Sequence, residues 1–168
     1  MLHVCSLAAL PDTVKVTGAS HILTVMANVD QVQRPASILE ANHLKVSMDD
    51  ITEHMDGFMA PSDSHIEKVL NFVRGWDRSA PMVVHCYAGI SRSTASAFAA
   101  ACALNPHRDE IAIARQIRAA SPIAQPNRLI VSLADKALGR DGRMLRALDE
   151  MGPGSMIVEG RPFRVDLE

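Results

Sequence analysis

The chain has 168 residues, which is enough for one domain with a substantial hydrophobic core and too few for two of ordinary size. Apolar residues make up 48% of it, charged residues 21%, and the formal net charge is −2, a composition typical of globular domains. With one Trp, one Tyr and no excess of basic residues, the sequence lacks the positive stripe and aromatic platforms of nucleic-acid-binding proteins, so we expect no nucleic-acid partner.

Short apolar runs bounded by Pro, Gly, Asn or Asp predict four strands in the first half of the chain, at 2–7, 21–26, 43–47 and 81–86. Apolar residues spaced for one helical face predict a helix over 64–76, and the spacing of Ser64 and Glu67 is that of a capping box at its start. Apolar periodicity and Pro or Gly breaks predict four further helices, at 92–104, 109–120, 126–138 and 141–151.

This order of elements predicts an α/β fold. Strands that alternate with helices indicate a single domain with a mostly parallel central sheet of four to five strands, covered by helices on both faces, and the C-terminal half is helical. We place the domain over residues 1–152. Residues 153–168 follow a Gly/Pro break and form either a tail or an added edge strand.

The cysteines, histidines and apolar runs exclude further classes of protein. The three cysteines are odd in number and far apart, which argues against a disulfide framework or a zinc site and for a reducing compartment. The seven histidines have no ligand spacing, so we expect no metal ion and no cofactor. The apolar N-terminus carries no basic leader, and no apolar run approaches the roughly 20 residues of a membrane span. We therefore expect a cytoplasmic protein without a membrane partner.

The stretch PMVVHCYAGISRSTASA, residues 81–97, joins an apolar strand to an Ala-rich helix through a short turn. The turn, residues 86–92, is predicted at the carboxyl edge of the sheet, where open α/β folds bind their ligands. Unpaired N–H groups at the start of the following helix make this edge an anion site before any side chain is counted. Gly89 lets the backbone bend and come close to a ligand.

The side chains of this turn add chemistry to the anion site. Cys86 lies where the partial positive charge of the helix N-terminus favours a thiolate. The planar guanidinium of Arg92 matches two oxygens of a phosphate. These residues predict attack of the thiolate on phosphorus, followed by hydrolysis of the cysteinyl-phosphate by water. Ser93 could donate a hydrogen bond to the sulfur and ease its departure in the second step.

The string HCYAGISRS, residues 85–93, resembles the His-Cys-x5-Arg-Ser/Thr signature of the cysteine-dependent protein tyrosine phosphatases. It is most similar to the small dual-specificity branch or a bacterial relative, and the order of elements agrees over positions 40 to 140. The resemblance implies a phosphatase domain over 1–152 that hydrolyses a phosphorylated protein or a small phosphoester. It also implies a phosphate-binding loop made of Tyr87, Ala88, Gly89, Ile90, Ser91 and Arg92.

The same resemblance implies supporting residues outside the loop. The family's general acid is an Asp some 30 to 40 residues before the cysteine, just past a strand. Both Asp49 and Asp50 fit, and alternation of strand faces favours Asp50 over Asp49. His85 is predicted to orient the loop through hydrogen bonds. Asn127 either caps the helix at 126–138 or positions water, and the sequence supports the two roles equally.

Other functions remain possible on the sequence alone. A non-catalytic phospho-binding module on the same fold is expected to lack the cysteine or the arginine, whereas both are present. Phosphoinositide phosphatases typically carry lysines inside the loop, and this loop carries no charge. Arsenate reductases and rhodaneses also use a cysteine–arginine loop. The His-Cys pair at the start of the motif and the Arg-Ser pair at its end favour a phosphatase. The sequence predicts neither the physiological substrate nor the oligomeric state.

Overall fold

The computed structural model describes residues 1–156 and 159–168 and contains one five-stranded sheet. Its strands in chain order are β1 (Leu2–Cys5), β2 (His21–Val25), β3 (His43–Val46), β4 (Met82–His85) and β5 (Phe163–Val165). The spatial order is β3-β2-β4-β1-β5, with the first four strands parallel and β5 antiparallel to β1. The four predicted strands are confirmed, and each is one or two residues shorter than expected.

Six helices accompany the sheet in the described residues: α1 (Leu10–Thr17), α2 (Asp63–Gly75), α3 (Arg92–Leu104), α4 (Glu110–Ala120), α5 (Arg128–Ala137) and α6 (Arg143–Met151). The five predicted helices are confirmed to within two residues at each end. The sequence analysis did not name α1, which is only eight residues long. Half of those eight residues are Val or Thr, whose β-branched side chains weaken the helical pattern.

The predicted capping box at the start of α2 is wrong. The helix begins at Asp63, so Ser62 is the N-cap residue and Ser64 already lies inside the first turn. His65, three residues after the cap, accepts a hydrogen bond at Nδ1 from the backbone N–H of Ser62 at 3.2 Å. A histidine thus satisfies the backbone donor that the pattern assigned to a glutamate.

Helices cover both faces of the sheet, as predicted. Helix α1 connects β1 to β2, and α2 connects β3 to β4 in the opposite direction across the sheet. Because crossovers between parallel strands are right-handed, the two helices lie on opposite faces. The Ala-rich α3 is buried along nearly its whole length and packs against α2, α4, α5 and three of the strands. The predicted α/β fold with a mostly parallel sheet is therefore confirmed. In the described part of the chain no helix is both long and apolar enough to cross a membrane.

Two of the three cysteines belong to the core. Cys5 at the end of β1 and Cys102 in α3 are buried, and burial raises the pKa of both thiols to about 12. Both are therefore protonated at neutral pH and unsuited to act as nucleophiles. Of the three cysteines, Cys86 is therefore the candidate nucleophile.

Candidate active site

The candidate site lies at the edge of the sheet where the parallel strands end. Cys86 follows β4 directly, Asp50 follows β3 four residues after Val46, and Ser6 follows β1. Because parallel strands bring their carboxyl ends to one edge, residues far apart in sequence meet there. The turn from Cys86 to Ser91 leads into the N-terminus of α3 at Arg92.

The carbonyl groups of this loop are bonded to donors outside it. Those of Tyr87, Ala88 and Ser91 accept hydrogen bonds from the backbone N–H groups of Leu7 at 3.0 Å, Gly160 at 2.8 Å and Asn127 at 3.2 Å. The Ile90 carbonyl accepts from the backbone N–H of Gln125 at 2.9 Å and from the Thr94 hydroxyl at 2.5 Å.

This arrangement orients the N–H groups of the loop. In a trans peptide the N–H points opposite to the preceding C=O, so outward carbonyls leave the next N–H groups directed into the loop. The inward groups are those of Ala88, Gly89, Ser91 and Arg92. Together with the α3 N-terminus they form a ring of donors suited to a phosphate.

The sulfur of Cys86 sits within this ring. The residue is 2% exposed, and its Sγ accepts a hydrogen bond from the Gly89 N–H at 3.2 Å. Sγ also lies 3.1 Å from the hydroxyl of the buried Ser93. Both groups are able to donate a hydrogen bond to the sulfur.

The guanidinium of Arg92 is held in place by one hydrogen bond, and another of its donors has no partner among the described residues. Its Nη1 donates to the backbone carbonyl of Met48 at 2.9 Å. Its Nε is buried and has no hydrogen-bond partner among the described residues. A buried donor without a partner is costly, which is the reason to consider it available to a ligand.

Gly89 is required for the backbone bend that the sequence suggested and also for close packing inside the protein. Its φ is +72°, and a Cβ atom there would lie 2.8 Å from the backbone C of Cys5 and 2.8 Å from the backbone N of Ser6. The close approach is therefore to the end of β1 inside the protein, in addition to any approach to a ligand. The loop is packed against the neighbouring strand with no room for a side chain.

His85 is buried and makes two hydrogen bonds, which fix its tautomer. Its Nδ1 lies 3.2 Å from the carbonyl of Cys86, which can only accept, so Nδ1 carries the proton. Burial lowers the pKa of His85 to about 4, so the ring is neutral at pH 7 and its Nε2 accepts from the Thr24 hydroxyl at 2.7 Å. His43 completes the chain, with its Nε2 2.8 Å from the same hydroxyl oxygen.

Asp50 accepts two side-chain hydrogen bonds, one from the loop and one from the N-cap residue of α5. Its Oδ1 accepts from the hydroxyl of Ser91 at 2.7 Å and from the amide of Asn127 at 2.9 Å. Both bonds fall on one oxygen, and Oδ2 has no partner within the described residues. The Asn127 side chain also caps α5, because its Oδ1 accepts from the Ile130 N–H at 3.1 Å. Asn127 thus both caps a helix and holds Asp50.

Asp49 has a different environment. Its Oδ2 accepts from the backbone N–H of Met59 at 2.7 Å, and its own N–H donates to the Met59 carbonyl at 2.8 Å. Asp49 therefore closes the base of the 49–59 segment and does not contact the loop of Cys86. Asp56 lies in a tight turn before Gly57, with the Phe58 N–H bonded to the Met55 carbonyl at 3.1 Å.

Sequence reasoning missed several residues that support the loop. Thr24 could have been noticed as a polar residue inside the apolar run of β2, whereas Thr94 looks like any residue of an early helical turn. Glu159 and Gly160 give no local signal, because their contacts are with residues far away in the chain. In residues 1–156 and 159–168, no three His, Cys, Asp or Glu side chains form a group that could hold a metal ion.

Comparison with known proteins agrees with this geometry. The family model for protein-tyrosine phosphatase matches residues 16–122. The crystal structure of DUSP15 gives a TM-score of 0.65 at 21% identity, covering 92% of this chain and 94% of that one. The PTP-2 phosphatase of Cydia pomonella gives 0.63 at 18% identity, covering 80% and 84%. Human DUSP28 gives 0.63 at 20% identity, covering 83% and 88%. No curated protein sequence matches the chain.

A family model that spans most of the chain and includes the loop of Cys86 decides the class. The chain belongs to the protein-tyrosine phosphatase family, and its fold is shared with small dual-specificity phosphatases. It is a phosphomonoester hydrolase of that type, and the resemblance seen in residues 85–93 is confirmed.

Proposed function

We propose that the chain hydrolyses phosphomonoesters of a phosphorylated protein or a small molecule through a covalent phosphate on Cys86. The observation that carries this proposal is the state of the loop: Sγ accepts from Gly89 N–H at 3.2 Å, and the buried Arg92 Nε has no partner among the described residues. The loop thus combines a sulfur that already accepts a hydrogen bond with an arginine donor that has no partner among the described residues. A phosphate dianion placed there satisfies both the ring of N–H groups and Arg92.

The first step transfers the phosphoryl group to sulfur. The Cys86 thiolate attacks phosphorus, the P–O ester bond breaks, and protonated Asp50 gives its proton to the leaving oxygen. The loop N–H groups and Arg92 hold the three equatorial oxygens as charge redistributes. Asp50 suits this role because Ser91 and Asn127 fix its Oδ1 while Oδ2 is left for the proton.

The second step regenerates the enzyme. Water attacks phosphorus, Asp50 takes a proton from that water, and the S–P bond breaks to release phosphate and the thiolate. The Ser93 hydroxyl, 3.1 Å from Sγ, donates to the sulfur as negative charge returns to it. His85, Thr24 and Asn127 act as positioning residues in this scheme, since each holds a loop or acid group and none is placed to react.

Trapping the covalent intermediate tests the proposal. Ser93→Ala removes the donor to the departing sulfur, so the second step should slow and phosphorylated enzyme should accumulate. Rapid denaturation during turnover of ³²P-labelled aryl phosphate, in the presence of a chelator and without thiol–disulfide reagents, should leave label on the peptide that contains Cys86. Turnover that needs a metal ion, or label on a different residue, would contradict the mechanism.

Asp50→Ala should lower kcat by roughly 10²-fold, which is the usual contribution of a positioned acid. The loss should be larger for phenyl phosphate than for p-nitrophenyl phosphate, whose leaving group barely needs the proton.

Asp49→Ala is the matched control for the acid. It removes the bond to Met59 and should loosen the 49–59 segment without changing how the rate depends on the leaving group. If Asp49→Ala shows the leaving-group dependence and Asp50→Ala does not, the assignment of the acid is wrong.

A further inference from the structure

The segment of Glu159 and Gly160 is fixed against the phosphate-binding loop. The backbone N–H of Gly160 donates to the Ala88 carbonyl at 2.8 Å, and a Cβ atom at Gly160 would lie 2.9 Å from the Gly89 carbonyl oxygen. Three residues later the chain enters β5, which pairs with β1. The C-terminal part of the chain therefore reaches the loop of Cys86. It is held there by the Gly160 hydrogen bond and by the pairing of β5 with β1.

The carboxylate of Glu159 is held in a defined position. Its Oε1 accepts a hydrogen bond from the hydroxyl of Ser6 at 2.5 Å, and Ser6 is only 1% exposed. Its Oε2 has no hydrogen-bond partner among residues 1–156 and 159–168. One oxygen thus anchors the side chain and the other stays available.

This carboxylate lines a cavity beside the phosphate-binding loop. The cavity has a volume of about 320 Å³, and its walls are formed by Leu7, Ala8, Tyr87, Ala88 and Glu159. Tyr87 and Ala88 are the two residues that follow Cys86, so the cavity lies directly against the phosphate-binding loop. The Tyr87 side chain is 67% exposed although it is aromatic.

The side chains that line the cavity favour a positively charged ligand. A carboxylate beside a phosphate site repels a second anion and attracts a cation. The exposed face of a tyrosine ring also attracts an ammonium or guanidinium group. Among the described residues that line the cavity, Glu159 is the charged one and no Lys or Arg is present.

We propose that the cavity is a subsite for a cationic group carried by the substrate next to its phosphate ester, with Glu159 and Tyr87 as specificity-determining residues. The chemistry fits the ammonium of a lysine, the guanidinium of an arginine or the amine of a small phosphoester. This inference rests on the proposed function, since it specifies the substrates that reach Cys86.

Matched pairs of substrates test the subsite. Phosphotyrosyl peptides carry a single lysine at one of the two positions on either side of the phosphotyrosine, and each is compared with its norleucine counterpart. Wild-type protein should show kcat/KM about threefold to tenfold higher for lysine than for norleucine at one or more positions. O-phosphotyramine compared with 4-ethylphenyl phosphate forms the small-molecule arm, and preference confined to that arm assigns the subsite to small amines.

Glu159→Gln isolates the charge. The glutamine oxygen can still accept from Ser6, so the segment should stay in place while the negative charge is lost. The lysine-to-norleucine ratio, or the ratio for the amine pair, should then fall to about one. Glu67→Gln, the same change on the exposed face of α2, should leave the ratio as in the wild type.

The outcomes separate the subsite from the underlying activity. A wild-type ratio near one for every pair, or a ratio unaffected by Glu159→Gln, overturns the subsite while the uncharged substrates are still hydrolysed. Failure of the wild-type protein to hydrolyse any of these phosphoesters overturns the proposed function itself.

Discussion

Cys86→Ser should lower kcat by at least about 10⁴-fold, because a hydroxyl in this position stays neutral and cannot attack phosphorus as a thiolate does. The N–H groups of the loop and Arg92 are unchanged by the substitution, so binding of inorganic phosphate should survive. The measurements are kcat with p-nitrophenyl phosphate and the rise in Tm that phosphate produces, which should be similar in wild type and variant.

Cys102→Ala is the control for this prediction. It removes a thiol of similar burial from the Ala-rich α3, away from the loop, and should retain activity. A Cys86→Ser variant that keeps more than about a hundredth of the wild-type kcat would rule out the covalent mechanism, since loss of a nucleophile costs far more.

Arg92→Lys should fail as a replacement although it keeps the positive charge. Arg92 donates from Nη1 to the Met48 carbonyl at 2.9 Å while its buried Nε stays available for an oxyanion. A lysine ammonium is a single point charge without the planar, forked donors of a guanidinium. It cannot reproduce the bond to the Met48 carbonyl and a bond to an oxyanion with the same geometry. The expected loss in kcat/KM is about 3 kcal/mol or more, as for removal of a preorganised oxyanion donor.

The comparison for Arg92 is Arg74→Lys, the same change at an exposed position in the last turn of α2, which should leave kcat/KM unaltered. Near-normal kinetics of Arg92→Lys would show that this residue acts only through its charge. The loop geometry proposed for the transition state would then be wrong.

The parts of the site that follow one another in sequence were predictable. Cys86, Arg92 and Ser93 lie on one strand–turn–helix unit, so their proximity needs only local geometry. Asp50 follows β3, and the rule that parallel strands end at one edge brings it to the same place. The proposed acid, Asp50, is hydrogen-bonded to Ser91 and Asn127, whereas Asp49 is bonded to Met59.

The parts that depend on long-range contacts were not predictable. Thr24 joins His85 only because β2 and β4 are neighbours in register, which the strand patterns do not specify. Gly160 reaches Ala88 across more than seventy residues of chain. The misplaced cap of α2 shows a different limit, because Ser62 and Ser64 are both acceptable caps and the partner used, His65, is not a residue of the usual capping-box pattern.

The donors around the Cys86 sulfur have a consequence for activity in concentrated salt. Gly89 N–H and Ser93 O–H are buried dipoles, and the neutral His85 contributes no net charge. Counterions screen exposed charges and have little access to buried dipoles of this kind. Ionic strength should therefore leave the nucleophile almost as reactive as in dilute buffer. Attraction of a cation to the exposed Glu159 should fade as salt is added, so selectivity is lost well before catalysis.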